Sequence, residues 1–362
     1  MCTIPWMLSP WGISSMCGSS GWIWNGSGFP SAWFPSRPGK ANRDRTCAGV
    51  PGKTPGHPFF NLPGKRAGYG SENETERRVS LIRRGFVLLL IAALLGALVF
   101  IFRDVFRSGE VRELRLPAGL ARHYAAAERE TGISWAYLAA IDEVESGYRK
   151  ATPASIRERA AWMMEKTGGN SAPKATERAI RSGFPDDRAE EILEIAESYR
   201  WMVPSLAEEY AFPFRKTDLS RISYSDTWGA SRTYGGNRKH EGTDLMAEKG
   251  IPILSVSDGI VVSKGWNRLG GWAVTVMDRN HPQRFYYYAH MSRFGEGIEA
   301  GHRVKKGEVI GYVGDSGYGT EGTTGKFPPH LHFGIYVREN LLSWRREAIN
   351  PYPLLKVWEA GQ

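Results

Sequence analysis

The chain has 362 residues, 41% hydrophobic and 23% charged, enough apolar matter for at least one sizeable core and for two folded units; this excludes a wholly disordered protein. A formal net charge of +9, from 47 basic and 38 acidic side chains, suits nucleic acid, anionic lipid or an acidic wall polymer and selects none of them. All three cysteines, Cys2, Cys17 and Cys47, lie near the start, so a metal site further along must be built from His, Asp or Glu.

Residues 1–70 hold Trp6, Trp11, Trp22, Trp24 and Trp33 among dense Gly, Pro and Ser, with Asp44 as their one acidic residue. No helical or strand period survives there. The composition predicts a disordered extension, or upstream sequence translated from a mis-assigned start, reaching to residue 84. An aromatic interaction arm is the competing reading.

From Gly85 to Phe102 the sequence GFVLLLIAALLGALVFIF carries no charge. As a helix at about 1.5 Å per residue it spans about 27 Å, just enough to cross a bilayer. A buried core helix would show a polar stripe, and this segment is apolar all round. Arg77, Arg78, Arg83 and Arg84 precede it, and no small-x-small cleavage pattern follows, which predicts a single uncleaved transmembrane signal anchor over 85–102. Arg103, Arg107, Arg112 and Arg115 follow on the other side, so charge alone orients it poorly. The expected arrangement places the N-terminus inside and the bulk of the chain outside the cytoplasm.

Residues 110–212 show apolar positions at three- and four-residue spacing in YAAAERETGISWAYLAAIDEVESG and again in RAEEILEIAESYRWMVPSLAEEY, which predicts a helical module. Gly168, Gly169 and Pro173 separate its helices and Pro213 closes it. From residue 221 short β-branched and aromatic runs take over: IPILSVSDG, IVVSKGW, WAVTVMD, FYYYAH, EVIGYVG and HLHFGIYV. Closely spaced strands without intervening helices predict an antiparallel, β-rich domain over 221–358, and an α+β chain as a whole.

That domain concentrates the chemistry. His240 and Asp244 stand in HEGTD, His290 in YYYAH, and His330 with His332 in HLHFGIYV. Side chains two apart on a strand share a face, so His330 and His332 project together while Leu331 packs behind. A zinc site without cysteine uses imidazole and carboxylate, and a catalytic one keeps three protein ligands and an open position. Five candidates exceed that need, and the surplus suits proton transfer and oxyanion stabilisation.

HEGTD, YYYAH and HLH in this order resemble the M23 metallopeptidases, the lysostaphin- or LytM-type family. The resemblance covers about residues 221–358, including GWNRLGGW, RVKKGEVIGYVG and INPYPLL. It implies zinc held by His240, Asp244 and His332, with His290 and His330 as the two catalytic histidines and Tyr234 as a tyrosine that steadies the transition state. The implied reaction is hydrolysis of a peptide bond in peptidoglycan by a zinc-activated water. TWGASRTYGGNRKHEGTD and SGYGTEGTTGKFPPHLHFGIY resemble a branch acting on the L-Ala–D-Glu bond of the stem peptide in spore-forming bacteria. The glycine-rich loops GASRTYGGNRKH and SGYGTEGTTGKFPPH are expected to wall a groove with zinc at its floor.

Three further readings compete. WAYLAAIDEVESG resembles the catalytic-helix stretch of lytic transglycosylases, with Glu145 before Ser146, but the rest of that family's pattern is missing and a non-catalytic helical module is expected. A catalytically silent M23 scaffold, activating another wall hydrolase, is the alternative to an enzyme; the presence of all five motif residues argues against it. Nucleic-acid binding, suggested by the basic pI, has no recognisable motif behind it.

Overall fold

A computed structural model describes residues 72–102, 107–206, 210–234 and 236–362; the expectations for residues 1–71 fall outside them. The first helix, α1 (Glu72–Phe102), starts well before Gly85. A 23-residue span of it, Arg77–Val99, is by length and composition apolar enough to cross a membrane, and its apolar window is not buried among the described residues.

The helical module follows as α2 (Ala118–Thr131), α3 (Trp135–Ser146), α4 (Pro153–Lys166), α5 (Pro173–Gly183) and α6 (Asp186–Met202). Glycine ends two of these helices for a conformational reason. Gly132 and Gly147 follow α2 and α3 with φ of 71° and 53°, the left-handed cap that costs other residues a Cβ clash. At the start of α4, Thr152 accepts from the Ser155 backbone while Ser155 reciprocates, and Pro153 occupies the first turn, where its missing N–H leaves no helical bond unmade.

The remainder is β-rich: β1 (Ser231–Arg232), β2 (Arg238–Lys239), β3 (Thr243–Met246), β4 (Pro252–Leu254), β5 (Gly259–Asn267), β6 (Gly271–Asp278), β7 (Arg284–Phe294), β8 (Arg303–Val304), β9 (Val309–Val313), β10 (His330–Val337) and β11 (Glu347–Ile349), closed by α7 (Tyr352–Ala360). A nine-stranded sheet runs in the order β11-β10-β7-β6-β5-β8, with β3 paired to β10 and β9 joining β7 to β4. Every pairing is antiparallel.

Alternation along β10 divides the sheet into a chemical face and a structural one. Leu331, Phe333 and Ile335 are buried in the core, and Phe333 packs against Tyr286, Tyr288 and Trp358 of α7. Residues 330 and 332 therefore face the other way. The helical module docks on the structural side. Trp201 donates its indole N–H to the Arg338 carbonyl, Gln283 donates to the Trp201 carbonyl, and Trp358 donates to the Leu206 carbonyl. The buried Arg284 guanidinium donates to the Met202 carbonyl, pairs with Asp278 and lies 4.5 Å from the Tyr210 ring centroid. One hydrophobic core runs through both parts. Among the described residues, no hydrogen bond links the helical module to His240, Asp244, His290, His330 or His332.

Candidate metal centre

Strand pairing brings the ligand candidates together. In the β3–β10 register Asp244 lies directly opposite His332, and Leu245 opposite Leu331, so Asp244 and His332 share the chemical face with side chains adjacent across the ladder. His240 enters from the turn just before β3. The His240 Nε2, Asp244 Oδ1 and His332 Nδ1 atoms then converge: Nε2 to Nδ1 is 2.9 Å, and each nitrogen is 3.0 Å from the carboxylate oxygen.

Those separations fit a cation. Four ligands held tetrahedrally at about 2.0–2.1 Å from zinc stand roughly 3.3 Å apart, so the three donors need to open by only a few tenths of an ångström. Two nitrogens and one carboxylate oxygen, with no thiolate, is a donor set zinc accepts. Among the described residues these three form a group whose ligand atoms, all within 4.8 Å of one another, could hold a metal ion.

The surrounding contacts aim each donor. The His240 Nδ1–H donates to the Thr227 carbonyl at 2.8 Å, which leaves the Nε2 lone pair toward the site. Arg232 donates to Asp244 Oδ2 at 2.6 Å, occupying the oxygen that the cluster does not use. Gly242 lets the β3 turn approach His332. A Cβ there would stand 2.7 Å from His332 Cε1, 2.9 Å from Nε2 and 2.6 Å from the Phe333 carbonyl oxygen, closer than packing allows.

His290 and His330 complete the constellation, their rings 4.7 Å apart. His290 sits in a left-handed backbone conformation, φ 62°, uncommon outside glycine and concentrated at functional sites. The β7 pairing slips at Met291, and this irregularity turns His290 onto the chemical face. Its Nδ1–H donates to the Ser316 carbonyl, and that of His330 to the Pro328 carbonyl, each at 2.8 Å. A carbonyl can only accept, so in the neutral tautomer each ring turns its Nε2 lone pair away from that carbonyl; His330 Nε2 stands 3.7 Å from Asp244 Oδ1.

Burial dominates the proton affinities. It pushes His290 down to about 3, assisted by the neighbouring His330 and His332 charges. It lowers His332 as well, against the pull of Asp244. For Asp244, burial acts to raise the pKa, but the adjoining His240 and His332 imidazoles outweigh it and hold the carboxyl far below the ordinary range.

Tyr234 lies above this floor and stacks on Tyr318, centroids 4.2 Å apart and planes 6° from parallel. The two glycine-rich loops thus meet through an aromatic pair. Tyr318 in turn sits edge-on to His290 and Phe327. Sequence reasoning singled out His240, Asp244, His290, His330, His332 and Tyr234, and the fold gathers the first five into one cluster. It missed Arg232, Gly242, Ser316, Tyr318 and Phe327; only the glycine within HEGTD offered a signal.

Glu145 has a different setting. It stands at the exposed end of α3, 3.4 Å from Arg188, while Glu143 accepts from the hydroxyls of Tyr148 and Tyr199.

Residues 238–351 match the model of Peptidase family M23, so the chain carries an M23 peptidase domain. It is similar to the L-Ala–D-Glu endopeptidase of Bacillus subtilis, 48% identical over 152 residues, which is 42% of this chain and 44% of that protein. It is also similar to the glycyl-glycine endopeptidase ALE-1 of Staphylococcus capitis, 37% identical over 122 residues, 34% of this chain and 30% of that protein. Among solved structures, the catalytic domain of lysostaphin from Staphylococcus simulans is 26% identical, with 40% of this chain and 98% of that one covered and a TM-score of 0.31. The match therefore spans less than half the length of these two curated relatives.

Proposed function

We propose that the M23 domain is a zinc-dependent endopeptidase that hydrolyses a peptide bond of the peptidoglycan stem, held at the outer surface of the cytoplasmic membrane by α1. The observation that carries this reading is the convergence of His240 Nε2, Asp244 Oδ1 and His332 Nδ1 beside two further imidazoles, each held through Nδ1 by a backbone carbonyl. Zinc bound there would act as a Lewis acid, polarising the scissile carbonyl and acidifying a water.

His330 is assigned as the general base. Its Nδ1 contact with Pro328 fixes the ring so that Nε2 accepts the water proton and later returns it to the leaving amine. His290 is assigned to the developing oxyanion: as negative charge builds on the carbonyl oxygen it raises a proton affinity that burial otherwise lowers, Nε2 takes up a proton from solvent, and the resulting N–H donates to that oxygen. Tyr234, fixed by its stack on Tyr318, is assigned to the same oxyanion. The bond between L-Ala and D-Glu is the assigned substrate bond, supported by the likeness to the Bacillus subtilis enzyme. Anchoring is supported by α1, whose span Arg77–Val99 is long and apolar enough to cross a membrane and is uncovered among the described residues.

The test is the zinc content of the full purified chain together with mass spectrometry of muropeptides incubated with it. Zinc at one equivalent and products separated between L-Ala and D-Glu are expected. A chain that holds zinc yet cuts no muropeptide would replace the enzyme by a scaffold.

A further inference from the structure

Beyond α1, the described residues expose three large hydrophobic side chains: Met246 at 36%, Leu342 at 67% and Trp344 at 97%. The last two share the loop between β10 and β11, sequence ENLLSWRRE. Isolated apolar residues on a surface need no explanation. A fully exposed tryptophan two residues from an exposed leucine, on a loop held rigid, is a different matter.

The loop is fixed at both ends. Asn340 Oδ1 accepts from the backbones of Leu342 and Ser343 at 3.0 and 2.8 Å, and the Arg346 guanidinium lies 3.5 Å from the Phe285 ring centroid. The turn between them presents Leu342 and Trp344 outward. Arg345, exposed beside Trp344, has Glu347 at 3.8 Å.

The loop's neighbour identifies its partner. The chain emerging from α1 pairs with this loop: Ser108 bridges Asn340, and Gly109 donates its backbone N–H to the Glu339 carbonyl at 2.8 Å. Gly109 also lies against the Trp201 ring, where a Cβ would meet Cγ at 2.2 Å. α1 ends at Phe102, and six residues of extended chain reach at most about 21 Å. The most exposed apolar loop of the domain is thus tied to the chain leaving the apolar helix.

We propose that the β10–β11 loop is a second membrane contact, with Leu342 and Trp344 entering the interfacial layer of the bilayer that α1 spans and Arg345 meeting lipid phosphates. Tryptophan and arginine both favour that layer, the first for its amphipathic ring and the second for its charge. The inference rests on the anchor reading of α1. It also sets the height of the metal centre: within β10 (His330–Val337) five residue steps separate His332 from the strand's end at the loop, up to about 17 Å at ~3.3 Å per residue.

The test uses the full chain with Cys2, Cys17 and Cys47 replaced by Ser, reconstituted into vesicles of phosphatidylethanolamine and phosphatidylglycerol. A polarity-sensitive fluorophore is attached through Arg345→Cys, or through Leu94→Cys in α1, or through Glu321→Cys in the exposed glycine-rich loop that carries Tyr318. The label at 345 is expected to shift to the blue and to be protected severalfold from iodide relative to that at 321, and Leu342→Ser with Trp344→Ser should abolish the protection. A label at 345 as accessible as at 321, with that at 94 in lipid, would overturn the loop contact alone. Labels at 94 and 345 both in water would remove the anchor reading and the inference with it.

Discussion

Two buried carboxylates show how this chain separates structure from chemistry. Asp142, in the helical module, accepts from the Tyr124 hydroxyl at 2.7 Å and pairs with Arg159 at 2.8 Å; a fixed cation and a fixed donor answer its charge. Asp244, on the sheet, has Arg232 on one oxygen and two imidazole nitrogens at 3.0 Å on the other. Those imidazoles are themselves lowered or held by burial and by a carbonyl, so they are ready to share the oxygen with a metal. A buried charge with its own cation stabilises a fold, whereas one surrounded by lone pairs makes a site.

The largest effects should come from breaking the second arrangement. His332→Ala is expected to lose both zinc and muropeptide cleavage, read by metal analysis and mass spectrometry. His330→Ala should keep zinc and lose about 10²- to 10⁴-fold in rate, the usual contribution of a general base. A His330→Ala protein that lost its zinc would make His330 a ligand and redraw the site.

Breaking the first arrangement should instead show in stability. Arg159→Leu leaves Asp142 buried without its cation, a change that costs about 3–5 kcal/mol in comparable pairs, less here because Arg159 is partly exposed. Urea unfolding should record the loss while zinc stoichiometry stays at one. Reduced zinc content in Arg159→Leu would show that the two regions are coupled through their common core.

The sequence made the site far more legible than the fold. His-x3-Asp and His-x-His announce themselves because ligand chemistry is carried by residue identity, and the period of two along HLHFGIYV told which face the ligands share. Helices α2, α3 and α6 were readable from their apolar spacing, whereas α4 and α5 were covered only by the helical reading of residues 110–212 as a whole. Two- and three-residue strands such as β8 and β11 carry too few positions to show a period, and β3 hid because HEGTDLM reads as a motif rather than as a strand. α7 was read only as the closing INPYPLL. Arg232, Ser316 and Tyr318 were illegible for another reason: each acts through a contact set by the fold, a carboxylate oxygen, a carbonyl and a stacked ring.

Acid should weaken the site face in a defined window. An unfolded histidine binds its proton near pH 6.5, but His290 in the folded chain does so only near 3. The unfolded state therefore holds more protons between those values, and stability falls as pH drops from about 6.5 toward 3. For the zinc-stripped chain at pH 4.5 the loss from this group reaches at most about 3 kcal/mol, at 1.36 kcal/mol per unit. Urea midpoints at pH 7 and 4.5 measure it, and His290→Gln should flatten the difference. An unchanged slope would assign the acid sensitivity elsewhere.

The smallest effect sharpens the comparison most, because it touches a ligand only through packing. Gly242→Ala introduces a Cβ 2.7 Å from His332 Cε1 and 2.6 Å from the Phe333 carbonyl oxygen. The His332 ring can turn from the methyl group but the Phe333 carbonyl oxygen cannot, so relief displaces the ring and strains the β3–β10 pairing that sets Asp244 opposite His332. Displacement of a supporting contact around a metal ligand typically costs 10- to 100-fold in affinity. Competition with a zinc-binding dye should show that loss, while far-ultraviolet circular dichroism stays unchanged. Matching dye titrations for Gly242→Ala and the parent chain would mean that the turn tolerates the methyl group and that His332 is aimed by strand pairing alone.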